Sequence, residues 1–148
     1  MNQTHTGGCV CGAARYIVRG KPSFAQVCHC TFCQRRLASA FAVLASFPED
    51  AVEILQGQLT ACEHRSDESK RWLKMYFCPK CGTTLYHTAE VRPGLKIIAA
   101  GTFDEPDWFR IERHIWVQSK RPWVTIPDGV AIFQQGFIAG QAPESKNQ

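Results

Sequence analysis

Long apolar runs are missing from this chain. The two longest candidates, Ala38 to Phe47 and Leu95 to Ala100, are strand-sized, whereas a membrane helix needs roughly 20 consecutive apolar residues. The opening Met1-Asn2-Gln3-Thr4-His5-Thr6 is polar, with no basic cluster leading into an apolar stretch, so no secretory signal is visible. Blocks of about five or more like charges, the mark of interaction tails, are absent too. Arg35-Arg36 and Lys70-Arg71 are short pairs only, and a nucleic-acid-binding zinc ribbon would need basic stripes interleaved with exposed aromatics. No low-complexity linker and no internal repeat interrupts the sequence. These absences predict a soluble, cytoplasmic protein with neither a membrane nor a nucleic-acid partner.

What is present is cysteine. The chain has 148 residues and eight cysteines. That length predicts one domain over residues 1–140, followed by a polar tail from Gln141 to Gln148. A domain of this size buries roughly 70% of its unfolded surface and needs no staples merely to fold. In reducing cytosol, close cysteine pairs point to metal or redox chemistry rather than to disulfides.

Most of the chain reads as short strands between turn signals. The expected strands are Arg15–Arg19, Phe24–Cys28, Ala40–Phe47, Val52–Leu55, Leu59–Arg65, Trp72–Phe77, Thr83–His87, Leu95–Thr102 and Arg110–Val117. Ala40–Phe47 is nearly continuously apolar, as a strand buried on both faces would be. Arg110–Val117 alternates with a period of two. One short helix is expected from Thr31 to Leu37, with Thr31 as its cap, and Trp108-Phe109 suit a second short turn. The fold class is therefore all-β, with one or two short helices.

The cysteines fall into clusters. In Cys78-Pro79-Lys80-Cys81-Gly82 the C-x-x-C turn brings two sulfurs to the spacing of about 3.8 Å that one tetrahedral zinc requires. Pro79 pre-sets a turn angle, and Gly82 permits positive φ after the second ligand. A thioredoxin-like redox pair would need a βαβ context, which is absent. A closed structural site takes four ligands, and Cys9 and Cys11, flanked by Gly8 and Gly12, are the expected partners. The remaining cluster, Cys28-His29-Cys30-Thr31-Phe32-Cys33, offers three thiolates. Three protein ligands and an open position describe a zinc site that accepts an exogenous ligand, such as a thiol that loses its proton on binding. The competing interpretation is a second structural zinc completed by Cys62 or a histidine. Cys62 itself reads as a buried strand residue. His29 is either a proton carrier beside the site or points away from it. Seven thiolates and two divalent ions would bring the formal charge of +4 down to +1, so the apparent basicity mostly compensates thiolates.

These clusters, in this order, resemble the glutathione-dependent formaldehyde-activating family, also called centromere-protein-V-like. Gly8-Cys9-Val10-Cys11-Gly12-Ala13-Ala14-Arg15-Tyr16 looks like its first motif, Cys28-His29-Cys30-Thr31-Phe32-Cys33-Gln34-Arg35 its second and Phe77-Cys78-Pro79-Lys80-Cys81-Gly82 its third. His114-Ile115-Trp116-Val117 and Pro122-Trp123 through Asp128-Gly129 fit the C-terminal pattern. The resemblance implies a Mss4-like fold of antiparallel sheets around a structural zinc. It implies two Zn2+ ions, one held by Cys9, Cys11, Cys78 and Cys81, the other, catalytic, by Cys28, Cys30 and Cys33. It also implies carbon–sulfur lyase-type chemistry on glutathione and formaldehyde. Arg35 and Arg36 are then candidates to meet glutathione carboxylates, with an exposed helix face as the alternative. Trp116 and Trp123 are either pocket wall or core. The other functional class is a non-catalytic zinc-binding interaction or glutathione-carrier module.

Overall fold

Local sequence pattern and sheet position together account for the elements. In Arg15–Arg19, Tyr16 and Val18 fall on one face and are fully buried, while Arg19 stays in solvent. Such alternation makes a half-buried strand. The protein, described here over residues 3–144 of a computed structural model, contains eleven strands and one α-helix. In chain order these are β1 (Thr4–Gly8), β2 (Arg15–Arg19), β3 (Phe24–Cys28), α1 (Thr31–Leu37), β4 (Ala42–Pro48), β5 (Val52–Gln56) and β6 (Thr60–Arg65). Then come β7 (Trp72–Phe77), β8 (Thr84–Ala89), β9 (Leu95–Ala99), β10 (Arg113–Ile115) and β11 (Ala131–Ile132). The fold is mainly β, in keeping with the expected Mss4-like class. Among the described residues no helix is long and apolar enough to cross a membrane.

A three-stranded sheet has the order β1-β2-β5, and an eight-stranded sheet the order β11-β10-β3-β4-β9-β8-β7-β6. An isolated bridge between Gly7 and Phe103 joins β1 to the turn after β9. A Cβ on Gly7 would lie 2.4 Å from the Tyr16 hydroxyl and 2.5 Å from the Thr102 carbonyl, so only glycine allows this approach. One core, built on Tyr16, Phe47, Leu85 and Ile98, lies between the sheets and includes Cys9 and Cys78. A second contains Cys28, Cys30 and Cys33 with Leu44, Ile97, Ile115 and Phe133. Each of the two main cysteine groups thus borders its own apolar cluster.

The structure corrects several expectations. β1 was not expected, because Thr4–Gly8 has no apolar alternation; pairing with β2 makes it a strand. Arg110–Val117 shortens to Arg113–Ile115, which runs parallel to both β3 and β11 rather than antiparallel. Trp116, at φ 56°, leaves the strand conformation. The strand from Leu95 ends at Ala99, and Ala100–Thr102 is a 3-10 turn. The expected turn near Trp108 is a 3-10 turn over Pro106–Trp108. Helix α1 has the expected bounds, but its cap is Cys30, whose sulfur accepts the Cys33 N–H, instead of Thr31. Cys62 does lie in a strand, yet it is exposed, as are all the residues of β6. Of the predicted tail, residues 145–148 lie outside those described; the Glu144 N–H bonds the Ile132 carbonyl at 2.9 Å.

Candidate functional site

The C-x-x-C turn folds as its residues dictate. Cys78 N–H bonds the Thr83 carbonyl, Gly82 N–H bonds the Cys78 carbonyl, and Gly82 adopts φ 77°. The N-terminal loop closes similarly, with Gly12 N–H on the Cys9 carbonyl and Cys9 N–H on the Ala14 carbonyl. Val10 N–H reaches the Thr83 hydroxyl at 3.2 Å and clamps one loop to the other. The sulfurs of Cys9, Cys11, Cys78 and Cys81 converge, all within 4.8 Å of one another. The Cys9–Cys11 and Cys11–Cys78 separations are 3.5 and 3.8 Å, close to the spacing around one tetrahedral ion. Donors stabilise charge on these sulfurs: Ala14 N–H reaches Cys9 at 3.2 Å. The Thr83 hydroxyl, then its backbone N–H, pull the Cys81 thiol down to about 5. Four convergent sulfurs with N–H and O–H donors around them fit a closed metal site.

The second group forms where β3 runs into α1. Cys28 ends the strand, Cys30 caps the helix and Cys33 sits in its first turn. All three are buried, and their sulfurs also lie within 4.8 Å of one another. The thiols of Cys28 and then Cys30, together with Arg36 and His87, hold the Cys33 thiol well below its ordinary value. Cys28 is pushed up by hydrogen bonding to Cys30 and Cys33 and by burial. Neither Cys62 nor a histidine joins the three among the described residues. The trio instead faces a cavity of about 380 Å³. Three buried soft donors with open space before them fit a metal that keeps a free coordination position.

The helix is held from several sides. Glu68 accepts from the Thr31 N–H at 2.7 Å and from its hydroxyl at 3.1 Å, and also bonds the Ser119 hydroxyl. This ties the β6–β7 turn to the end of α1 that carries the cysteines. Gln34 donates to the carbonyls of His29 and Ser119 at 2.7 and 2.8 Å. His29 is buried, with Nε2 2.8 Å from His114 Nδ1, and it does not line the cavity. Burial first, then His114, lower its pKa to about 4, so the ring is neutral.

The expected substrate contacts are redistributed. Arg35 is exposed, and Arg36 is half-buried against His87, 3.3 Å from its Nδ1. Neither lines the cavity; Arg71 and Arg92 do. Trp116 is a wall of the cavity, whereas Trp123 is 74% exposed and borders an open depression with Arg35 and Arg121. Sequence reasoning missed His87, which is buried and lines the cavity. It also missed Glu68, Arg71, Arg92 and the segment Gln135–Ile138. None lies in a motif, and only chain folding brings them to the cysteines.

Residues 4–119 match the family whose description is glutathione-dependent formaldehyde-activating enzyme. The chain belongs to that family. The match takes in all seven clustered cysteines and ends before Gln135–Ile138. The fold is also similar to the crystal structure of a Rhodobacter sphaeroides protein, a structural-genomics target, with a TM-score of 0.55 and 23% identity. That similarity covers 72% of this chain and 96% of the other. The family is one of enzymes acting on glutathione and formaldehyde.

Proposed function

We propose that this protein is a zinc-dependent, carbon–sulfur lyase-type enzyme that joins glutathione to formaldehyde and runs the reverse cleavage. The observation that carries this is the three-cysteine group, buried and open to a cavity, with no fourth protein donor among the described residues. In the forward direction the glutathione sulfur forms a bond to the aldehyde carbon. The C=O π pair moves to oxygen, and the proton lost by the thiol ends there. No redox partner is required.

In this proposal Cys9, Cys11, Cys78 and Cys81 hold a structural zinc, and Cys28, Cys30 and Cys33 hold the catalytic one. Zinc at the second site supplies Lewis acidity that favours the thiolate form of a bound thiol. The protein's own groups do the rest. Arg36 beside Cys33 stabilises negative charge on the sulfurs, while burial and then Arg36 push His87 down to about 3 and keep its ring uncharged. Arg71, whose side chain is 59% exposed, and half-buried Arg92 supply cations for the glutathione carboxylates at the cavity rim. Glu68 keeps the β6–β7 turn against the helix start. Thiolate ligation suits a reducing compartment, and we assign the protein to the cytoplasm. An interaction module with two closed sites would need a fourth donor at Cys28, Cys30 and Cys33.

Glutathione titration of the cobalt-substituted protein tests this reading. A change in the visible spectrum, with heat released at the same stoichiometry, is expected. Silence in both refutes thiol binding at the site.

A further inference from the structure

Glutathione is polar along its length, with two carboxylates, an ammonium group and two amides, and a hydroxymethyl adduct adds only a small polar group. The cavity at Cys28, Cys30 and Cys33 has a different character. Besides the thiols, Arg71, Arg92 and polar side chains such as Ser66 and His87, it is lined by Phe32, Leu73, Val91, Ile97, Ile115 and Phe137. The buried cation nearby is already engaged. The Arg113 guanidinium lies over the rings of Phe24 and Phe137, at 4.4 and 3.8 Å. Its Nε bonds the Gln26 side-chain oxygen at 2.9 Å, and Arg113 is not among the lining residues.

Part of the apolar wall comes from the C-terminal segment, beyond the residues that define the family. Gln135, Gly136, Phe137 and Ile138 line the cavity, whereas the family match ends at residue 119. The segment is anchored there. The Phe137 ring packs edge-on against Phe133 at 5.2 Å, and Arg92 donates to the Phe137 carbonyl at 2.7 Å. Trp116 N–H donates to the Gln135 carbonyl at 3.0 Å. This chain therefore sets apolar side chains of its C-terminal segment beside the cavity of its thiol cluster, a surface that formaldehyde, a single carbon, cannot fill.

We infer that the aldehyde taken by this enzyme carries an apolar substituent, an aliphatic chain of several carbons, seated against Phe137 and Ile138. The inference rests on the thiol–aldehyde chemistry proposed above and names its electrophile. The bond changes are the same: sulfur joins the carbonyl carbon, the C=O π bond breaks, and the thiol proton ends on the adduct oxygen. The aliphatic chain is a spectator held by the wall.

Carbon-13 exchange NMR on the zinc-loaded full chain tests it, with glutathione and the series formaldehyde, ethanal, butanal and hexanal. The enzyme-driven kcat/KM is divided by the uncatalysed rate constant for each aldehyde. A rise of about fourfold per added methylene is expected while the chain fills the cavity, equivalent to ~0.8 kcal/mol each. A flat or falling series, with formaldehyde accelerated, overturns this inference and leaves the proposed function standing. Acceleration of no aldehyde overturns both. Ile138→Ser provides a second measurement, and with Ile138 70% exposed it leaves the core intact. It is expected to lower the hexanal-to-formaldehyde ratio several-fold. An unchanged ratio removes the C-terminal wall from the inference.

Discussion

Substituting one cysteine from each group separates a fold-holding site from an open one. Cys11 and Cys78 stand 67 residues apart, with sulfurs 3.8 Å from each other. Cross-linking a loop of that length removes denatured-chain entropy worth roughly 4 kcal/mol. A domain's whole stability is about 5–15 kcal/mol. Cys78 is moreover almost fully buried in the core between the sheets. Cys78→Ser is therefore expected to lose the structural ion and to lower the melting temperature by about 10 °C, at ~2–4 °C per kcal/mol for this size. Cys30→Ser is expected to behave differently. Cys30 caps α1 by accepting the Cys33 N–H at 3.3 Å, and serine is a preferred cap, so the helix start survives the change. Elemental analysis after gel filtration should find two zinc ions in the parent, one in Cys30→Ser and one or none in Cys78→Ser. Thermal melts followed by circular dichroism should place Cys30→Ser within a few degrees of the parent. Unfolding of Cys30→Ser, or a parent-like melt for Cys78→Ser, would refute the division into a structural and an open site.

Other outcomes follow from particular contacts. Glu68→Ala leaves the Thr31 N–H and hydroxyl without their acceptor; a loss of about 1 kcal/mol is expected by analogy with helix caps, with faster proteolysis in the 66–71 turn. Hydrogen bonds from Arg15 and then Thr6 hold the Asp104 carboxyl below its ordinary value, so its contribution is present above the unfolded carboxylate pKa of about 3.9 and is lost as pH falls through the folded one. Because Arg15 and Asp104 are 35% and 43% exposed, Asp104→Asn should cost less than about 1 kcal/mol. Urea melts should show this gap constant from about pH 8 to 5; closure of the gap within that range contradicts the depressed carboxyl. Exposed Cys62 should be the first thiol to react with a disulfide reagent in the zinc-loaded protein. Cys62→Ser should remove that fast phase and change stability by no more than about 0.5 kcal/mol.

Short-range chemistry made much of the site legible. C-x-C, C-x-C-x-x-C and C-P-x-C-G place sulfurs within a few ångströms through turn geometry alone, and Gly82 shows the positive φ that its place predicted. The bounds of α1 were legible for the same reason, since they depend on adjacent residues. Where a strand lies in its sheet was not legible. Cys62 has the same local pattern whether the faces of β6 are covered or bare, and only tertiary packing leaves it exposed. The Arg113–Ile115 strand is cut short because parallel neighbours on both sides and the turn at Trp116 fix its length.

The sequence by itself determined which sulfurs form each local group, because ligands a few residues apart are held by their own turns; that Cys9 and Cys11 meet Cys78 and Cys81 is a tertiary outcome. It also determined the mainly-β class, because strand periodicity is written residue by residue. Tertiary structure alone decided what faces those sulfurs. Arg71, His87, Arg92 and Phe137 reach one cavity from separate parts of the chain. Their meeting depends on strand pairing and sheet order, which no local pattern encodes.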